Sequence, residues 1–123
     1  MRNVVLAGAC RTPIGTMGGA LSSKSAVELG TLVISEALQR AKVPASAVDM
    51  VYMGCVIQAA LGQNVARQCA LKAGLPVETP AMTLNVVCGS GLAVNLYHVT
   101  KADTETLYFR NSRKLYIGKR AGR

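Results

Sequence analysis

Apolar positions along this chain fall into short continuous runs separated by stretches with helical spacing. Asn3 to Cys10 is nearly all apolar, which suits a strand covered on both faces. Arg11-Thr12-Pro13-Ile14-Gly15 breaks the run, and residues 15–24 hold three glycines among small polar residues, a loop. Ser25-Ala26-Val27-Glu28 then fits a capping box, in which serine caps a backbone N–H and glutamate reaches back. Leu29, Val33, Ala37 and Ala41 recur at spacing four, widened by Leu32, Ile34 and Leu38, while Glu36 and Arg40 pair on the wetter side. Pro44 predicts an end near Lys42.

The second run, Val48 to Ile57, predicts a strand with Gly54 inside it. Asn64 predicts the cap of a helix over Val65 to Ala73, with Gly74 just past its end and Pro76 beyond. Ala81 to Val87 predicts a third strand, and Leu92 to His98 the start of a third helix. Strand and helix alternate three times. The expected class is α/β, with a mainly parallel sheet and right-handed crossovers.

A chain of 123 residues has room for one domain, and 50% apolar against 16% charged residues is enough to build a core. No apolar run reaches the ~18–20 residues a bilayer crossing needs, so no membrane is expected. Met1-Arg2-Asn3-Val4-Val5 enters a strand directly, without a signal or transit pattern, and the expected compartment is cytoplasmic.

The net charge of +8 is uneven. Residues 1–100 carry seven Lys/Arg and four Asp/Glu, whereas 101–123 carry seven and two. Three of the four tyrosines and the single phenylalanine lie in 97–116. The chain therefore divides into residues 1–96 and a basic tail, 97–123, in which helix and strand patterning is weak. Lys101, Arg110, Arg113, Lys114, Lys119, Arg120 and Arg123, interleaved with Tyr108, Phe109 and Tyr116, offer a rival function as a nucleic-acid-binding interaction module. A solvated end is the simpler reading, and nucleic acid is not expected as a partner.

Cys10, Cys55, Cys69 and Cys88 form no C-x-x-C pair, and His98 is the lone histidine, so no metal site and free thiols are expected. Neither G-x-G-x-x-G nor G-x-x-x-x-G-K occurs, which removes the dinucleotide and P-loop readings. Asn85-Val86-Val87-Cys88-Gly89-Ser90-Gly91-Leu92 carries the chemistry. It sets a thiol between a strand and a helix start, with glycines that let a substrate approach the backbone. A helix start favours thiolate over thiol, and the setting is the cysteine counterpart of the serine elbow of hydrolases, where a sharp strand-to-helix turn projects the nucleophile. Cys10, Cys55 and Cys69 lack that setting and read as buried.

That segment resembles the nucleophile segment of thiolases, in the acetyl-CoA C-acetyltransferase branch. Ala9-Cys10-Arg11-Thr12-Pro13-Ile14-Gly15 is similar to the family's first strand and loop. Gly62-Gln63-Asn64-Val65-Ala66-Arg67-Gln68 is similar to its G-Q-N-P-A-R-Q segment, with valine where proline is usual. Ala73-Gly74-Leu75-Pro76 and Pro80-Ala81-Met82-Thr83 continue in register. The resemblance implies an incomplete thiolase-like N-terminal domain over 1–96. It also implies ping-pong acyl transfer, in which Cys88 is acetylated by acetyl-CoA and a second acetyl-CoA carbanion yields acetoacetyl-CoA. Coenzyme A thioester is then substrate, with no cofactor; Gln63, Asn64 and Arg67 are implied as structural support.

The resemblance also implies a catalytic histidine, a second acid/base cysteine and most of the coenzyme A surface in parts of the family's longer chain that match nothing here. His98 lies ten residues after Cys88, about 15 Å along a helix axis. The family's extra residue after Leu92 is absent and the composition shifts, so a gene ended early or read out of frame from about residue 93 is expected. Turnover by this chain alone is not expected, and the uncovered apolar surface predicts a homo-oligomer or aggregation.

Overall fold

The computed structural model describes residues 4–94, 106–110 and 115–120. Strand β1 (Val4–Ala7) opens the chain and helix α1 (Ala26–Ala41) follows. A 3₁₀ turn at Ala45–Ala47 leads into β2 (Met50–Gly54), then α2 (Val65–Lys72) and β3 (Ala81–Leu84). Residues 90–94 are helical. Strands β4 (Thr106–Arg110) and β5 (Leu115–Arg120) complete the set.

Helix α1 starts and stops where local chemistry dictates. Ser25 Oγ accepts from Glu28 N at 3.1 Å, and Ser25 N donates to Glu28 Oε2 at 2.9 Å, closing the capping box. The backbone N–H of Ser25 first, then the Ser25 hydroxyl and the Lys24 ammonium that also donate to it, hold the Glu28 carboxyl below its ordinary range. At the other end Lys42 turns left-handed (φ 54°), and Val43 N reaches back to Leu38 O at 3.1 Å.

The buried stripe of α1 is Val27, Gly30, Ile34, Ala37 and Leu38, rotated from the predicted one; Leu32 is 61% exposed. Gly30 sets this phase. A Cβ there would lie 2.7 Å from Cys69 Sγ and 2.8 Å from Met53 Cε, so the bare backbone is what lets α1 settle on α2 and β2.

The sheet runs β1-β5-β4-β2-β3. Strand β2 is parallel to both its neighbours, β3 and β4, whereas β5 is antiparallel to β1 and β4. Val51 and Met53 join the core made with α1 and α2; Tyr52 faces the other way, against Val94 of the helical turn. Strand β2 is thus covered on both faces, as its apolar run requires. Strands β4 and β5 lie in the stretch where weak patterning predicts no regular element. Apolar runs overestimate strand length, because β2 and β3 pair only from Val51 with Ala81 to Gly54 with Leu84.

Candidate functional site

Strand β3 stops at Leu84, three residues short of the predicted end, and residues 85–89 form a turn that carries Cys88 at the surface. The turn is held by side chains. Asn85 Oδ1 accepts from Val87 N at 3.0 Å, and Asn85 Nδ2 donates to Val56 O at 2.8 Å, tying the turn to the loop after β2. Ser90 Oγ accepts from Val86 N at 3.0 Å and donates to Val87 O at 2.6 Å. Between those anchors Val87 adopts φ 51°, a left-handed conformation that costs a branched residue about 1–2 kcal/mol.

The helical turn begins earlier than predicted. Gly89 O accepts from Leu92 N and Ala93 N, both at 2.9 Å, so Cys88 precedes the first turn directly. The thiol therefore stands at the handover from strand to helix. Residues 95–98, including His98, lie outside the described residues.

The 62–68 segment acts as a structural brace. Asn64 caps α2 by accepting from Arg67 N at 3.2 Å, and its Nδ2 donates to Ala81 O at 2.9 Å. The Arg67 guanidinium donates to the carbonyls of Thr79 and Val77, both at 2.7 Å. Gln63 contributes its carbonyl, which accepts from Gln68 Nε2 at 2.8 Å. Together these bonds fix α2 against β3, the strand that delivers the Cys88 turn.

The other three cysteines are unlike Cys88. Cys69 is fully buried, and burial pushes its thiol up to about 11. Cys55 is buried and its Sγ donates to Ile57 O at 3.4 Å. Cys10 is half-buried rather than sealed, with its thiol donating to Val33 O at 3.5 Å and raised by burial. All four are free thiols. Among the described residues, no group of three His, Cys, Asp or Glu could hold a metal ion, and no helix is long and apolar enough to cross a membrane. Of the tail's cations and rings, Arg110, Lys119, Arg120, Tyr108, Phe109 and Tyr116 fall on β4 and β5, described by backbone alone. Lys101, Arg113, Lys114 and Arg123 lie outside the described residues.

Sequence reasoning assigned no role to Asn85, Ser90 or Gly54. The signals for the first two were local: an Asx-type residue two before Val87 and a hydroxyl three after it. Gly54 gave no such signal, since its partner is Ser90, remote in sequence.

The model of the thiolase N-terminal domain matches residues 4–102. Acetyl-CoA acetyltransferase of Syntrophomonas wolfei is 57% identical over 96 residues, covering 77% of this chain and 24% of that protein. Acetyl-CoA acetyltransferase of Clostridioides difficile is 56% identical over 92 residues, covering 75% of this chain and 86% of the relative. The crystal structure of Acat5 thiolase from Ascaris suum in complex with coenzyme A superimposes with a TM-score of 0.81 at 33% identity, over 87% of this chain and 30% of that one. The chain thus spans about a quarter of the length of the Syntrophomonas relative. Its strand–helix order, its clasped cysteine turn and these matches together make it a member of the thiolase family, matching the N-terminal domain.

Proposed function

We propose that this chain carries the acyl-capturing half of an acetyl-CoA acetyltransferase, with Cys88 as the nucleophile. The observation that supports the reading most is the placement of Cys88: an exposed thiol on a side-chain-clasped turn at the start of a helix. The acetyl-CoA acetyltransferase relatives and the coenzyme A bound by the Ascaris thiolase support the substrate class.

In the proposed step the Cys88 sulfur attacks the thioester carbonyl carbon of acetyl-CoA. A carbon–sulfur bond forms to Cys88, the bond to the coenzyme A sulfur breaks, and coenzyme A leaves as a thiol carrying the proton Cys88 gave up. In the complete reaction a second acetyl-CoA gives up an α-proton, its carbanion bonds to the acetyl carbon, the carbon–sulfur bond to Cys88 breaks, and the proton ends on the released Cys88 sulfur, giving acetoacetyl-CoA. Coenzyme A thioester is substrate throughout and no cofactor is invoked.

Intact-mass measurement after incubation with acetyl-CoA tests the reading. The expected result is one added acetyl group, lost on hydroxylamine treatment and absent in Cys88→Ser. An unchanged mass, or an adduct that persists in Cys88→Ser, would overturn it.

A further inference from the structure

We propose that Ser90 is the positioning residue of the Cys88 turn, and that Gly54 is the seat that makes its place possible; the inference rests on the reading of Cys88 as nucleophile. Ser90 is only 3% exposed, and its hydroxyl spans the two residues before Cys88, accepting from Val86 N at 3.0 Å and donating to Val87 O at 2.6 Å. Val87 between them sits at φ 51°, where branched side chains are rarely found. The hydroxyl thus bridges both residues ahead of Cys88, alongside Asn85 Oδ1 on Val87 N at 3.0 Å and the Ser90 backbone N–H on Val87 O at 3.1 Å.

Ser90 reaches that position because the end of β2 gives way. A Cβ at residue 54 would lie 2.9 Å from the Ser90 carbonyl carbon, 2.9 Å from its Cβ and 3.0 Å from its carbonyl oxygen. Glycine at 54 lets the helical turn press onto the strand and bury the serine. Without the hydroxyl, Val86 N loses its side-chain acceptor and Val87 O one of its two donors; Val87 is then freer to leave φ 51°, the peptide between 87 and 88 to turn over, and the thiol to leave its exposed position.

Site-resolved alkylation with iodoacetamide, read by peptide mass spectrometry on the full chain, tests this without coenzyme A. In Ser90→Ala, labelling of Cys88 should slow by about tenfold, the scale of one lost hydrogen bond. Cys55 and Cys69 should stay protected, and Ser90→Thr, which restores the hydroxyl, should recover most of the rate. Unchanged Cys88 labelling in Ser90→Ala overturns the assignment. So does simultaneous unmasking of Cys55 and Cys69, which would mark Ser90 as a fold-wide support, or a folded Ser90→Thr as slow as Ser90→Ala. A wild-type chain that alkylates at Cys88 yet takes no acetyl group would sink the acyl-capture reading alone, leaving the role of Ser90 to the alkylation rates.

Discussion

Thr83 on β3 and Asn64 at the head of α2 share one polar knot. Thr83 Oγ1 donates to Asn64 Oδ1 at 2.8 Å and accepts from Ala66 N at 2.9 Å. The same Asn64 oxygen caps Arg67 N, and its amide donates to Ala81 O. A helix start and a strand are thereby locked by two side chains.

Asn64 also sits at φ 41°, left-handed and tolerated by asparagine. Asn64→Ala loses both the cap and this tolerance, and is expected to cost about 1–2 kcal/mol in denaturant unfolding. Asn64→Gly, which removes the side chain but suits the backbone, should lose clearly less. Equal losses in the two variants would show that backbone conformation contributes nothing at this cap.

Gly30 tests how tightly the helical layer is packed. Alanine in a helix interior usually gains up to about 1 kcal/mol over glycine. Here its methyl would press within 3 Å of Cys69 Sγ and Met53 Cε, and overpacking of a filled core costs about 1–3 kcal/mol. Gly30→Ala is therefore expected to destabilise on balance. The double variant with Cys69→Ala should lose less than the two single losses combined, because the shortened side chain at 69 vacates the contested space. Thermal unfolding of the four proteins measures both.

Cys69 gives the fold an alkaline limit. Its thiol donates to Val27 O at 3.5 Å, and burial raises it from 9.0 to about 11. The folded state thus holds the proton more tightly than the unfolded chain. That contribution is fully present below about pH 9 and is lost as pH climbs through 11, at most about 3 kcal/mol. The stability difference between the parent chain and Cys69→Ala should be flat from pH 7 to 8.5 and shrink between about 9 and 11. A difference that stays constant across that range would count against the burial effect.

Much of this was legible in the sequence wherever the determining contacts are local. The capping box at Ser25 and Glu28, the stop before Pro44 and the Asn64 cap each act within a few residues, and they appear as expected. The place of Cys88 just ahead of a helical turn was legible because Gly89 and Gly91 mark a turn there. The rest depended on distant partners. Strand ends follow pairing register, so the apolar run ending at Val87 overshot Leu84. The face of α1 follows the Gly30–Cys69 approach, and the Ser90 clasp depends on Gly54 across the sheet. Strands β4 and β5 gain their place by pairing with β2 and β1, which weak local patterning does not announce.

The two-sided burial of β2 leaves that strand without a wet face to identify its correct alignment. Size does the sorting instead: Val51 and Met53 fit under the paired helices, while the broad ring of Tyr52 fits beneath Val94. Sliding the strand by a single residue would drive a phenol into an aliphatic layer and leave a ring-sized void opposite. Misalignment is thus penalised by shape on both sides at once.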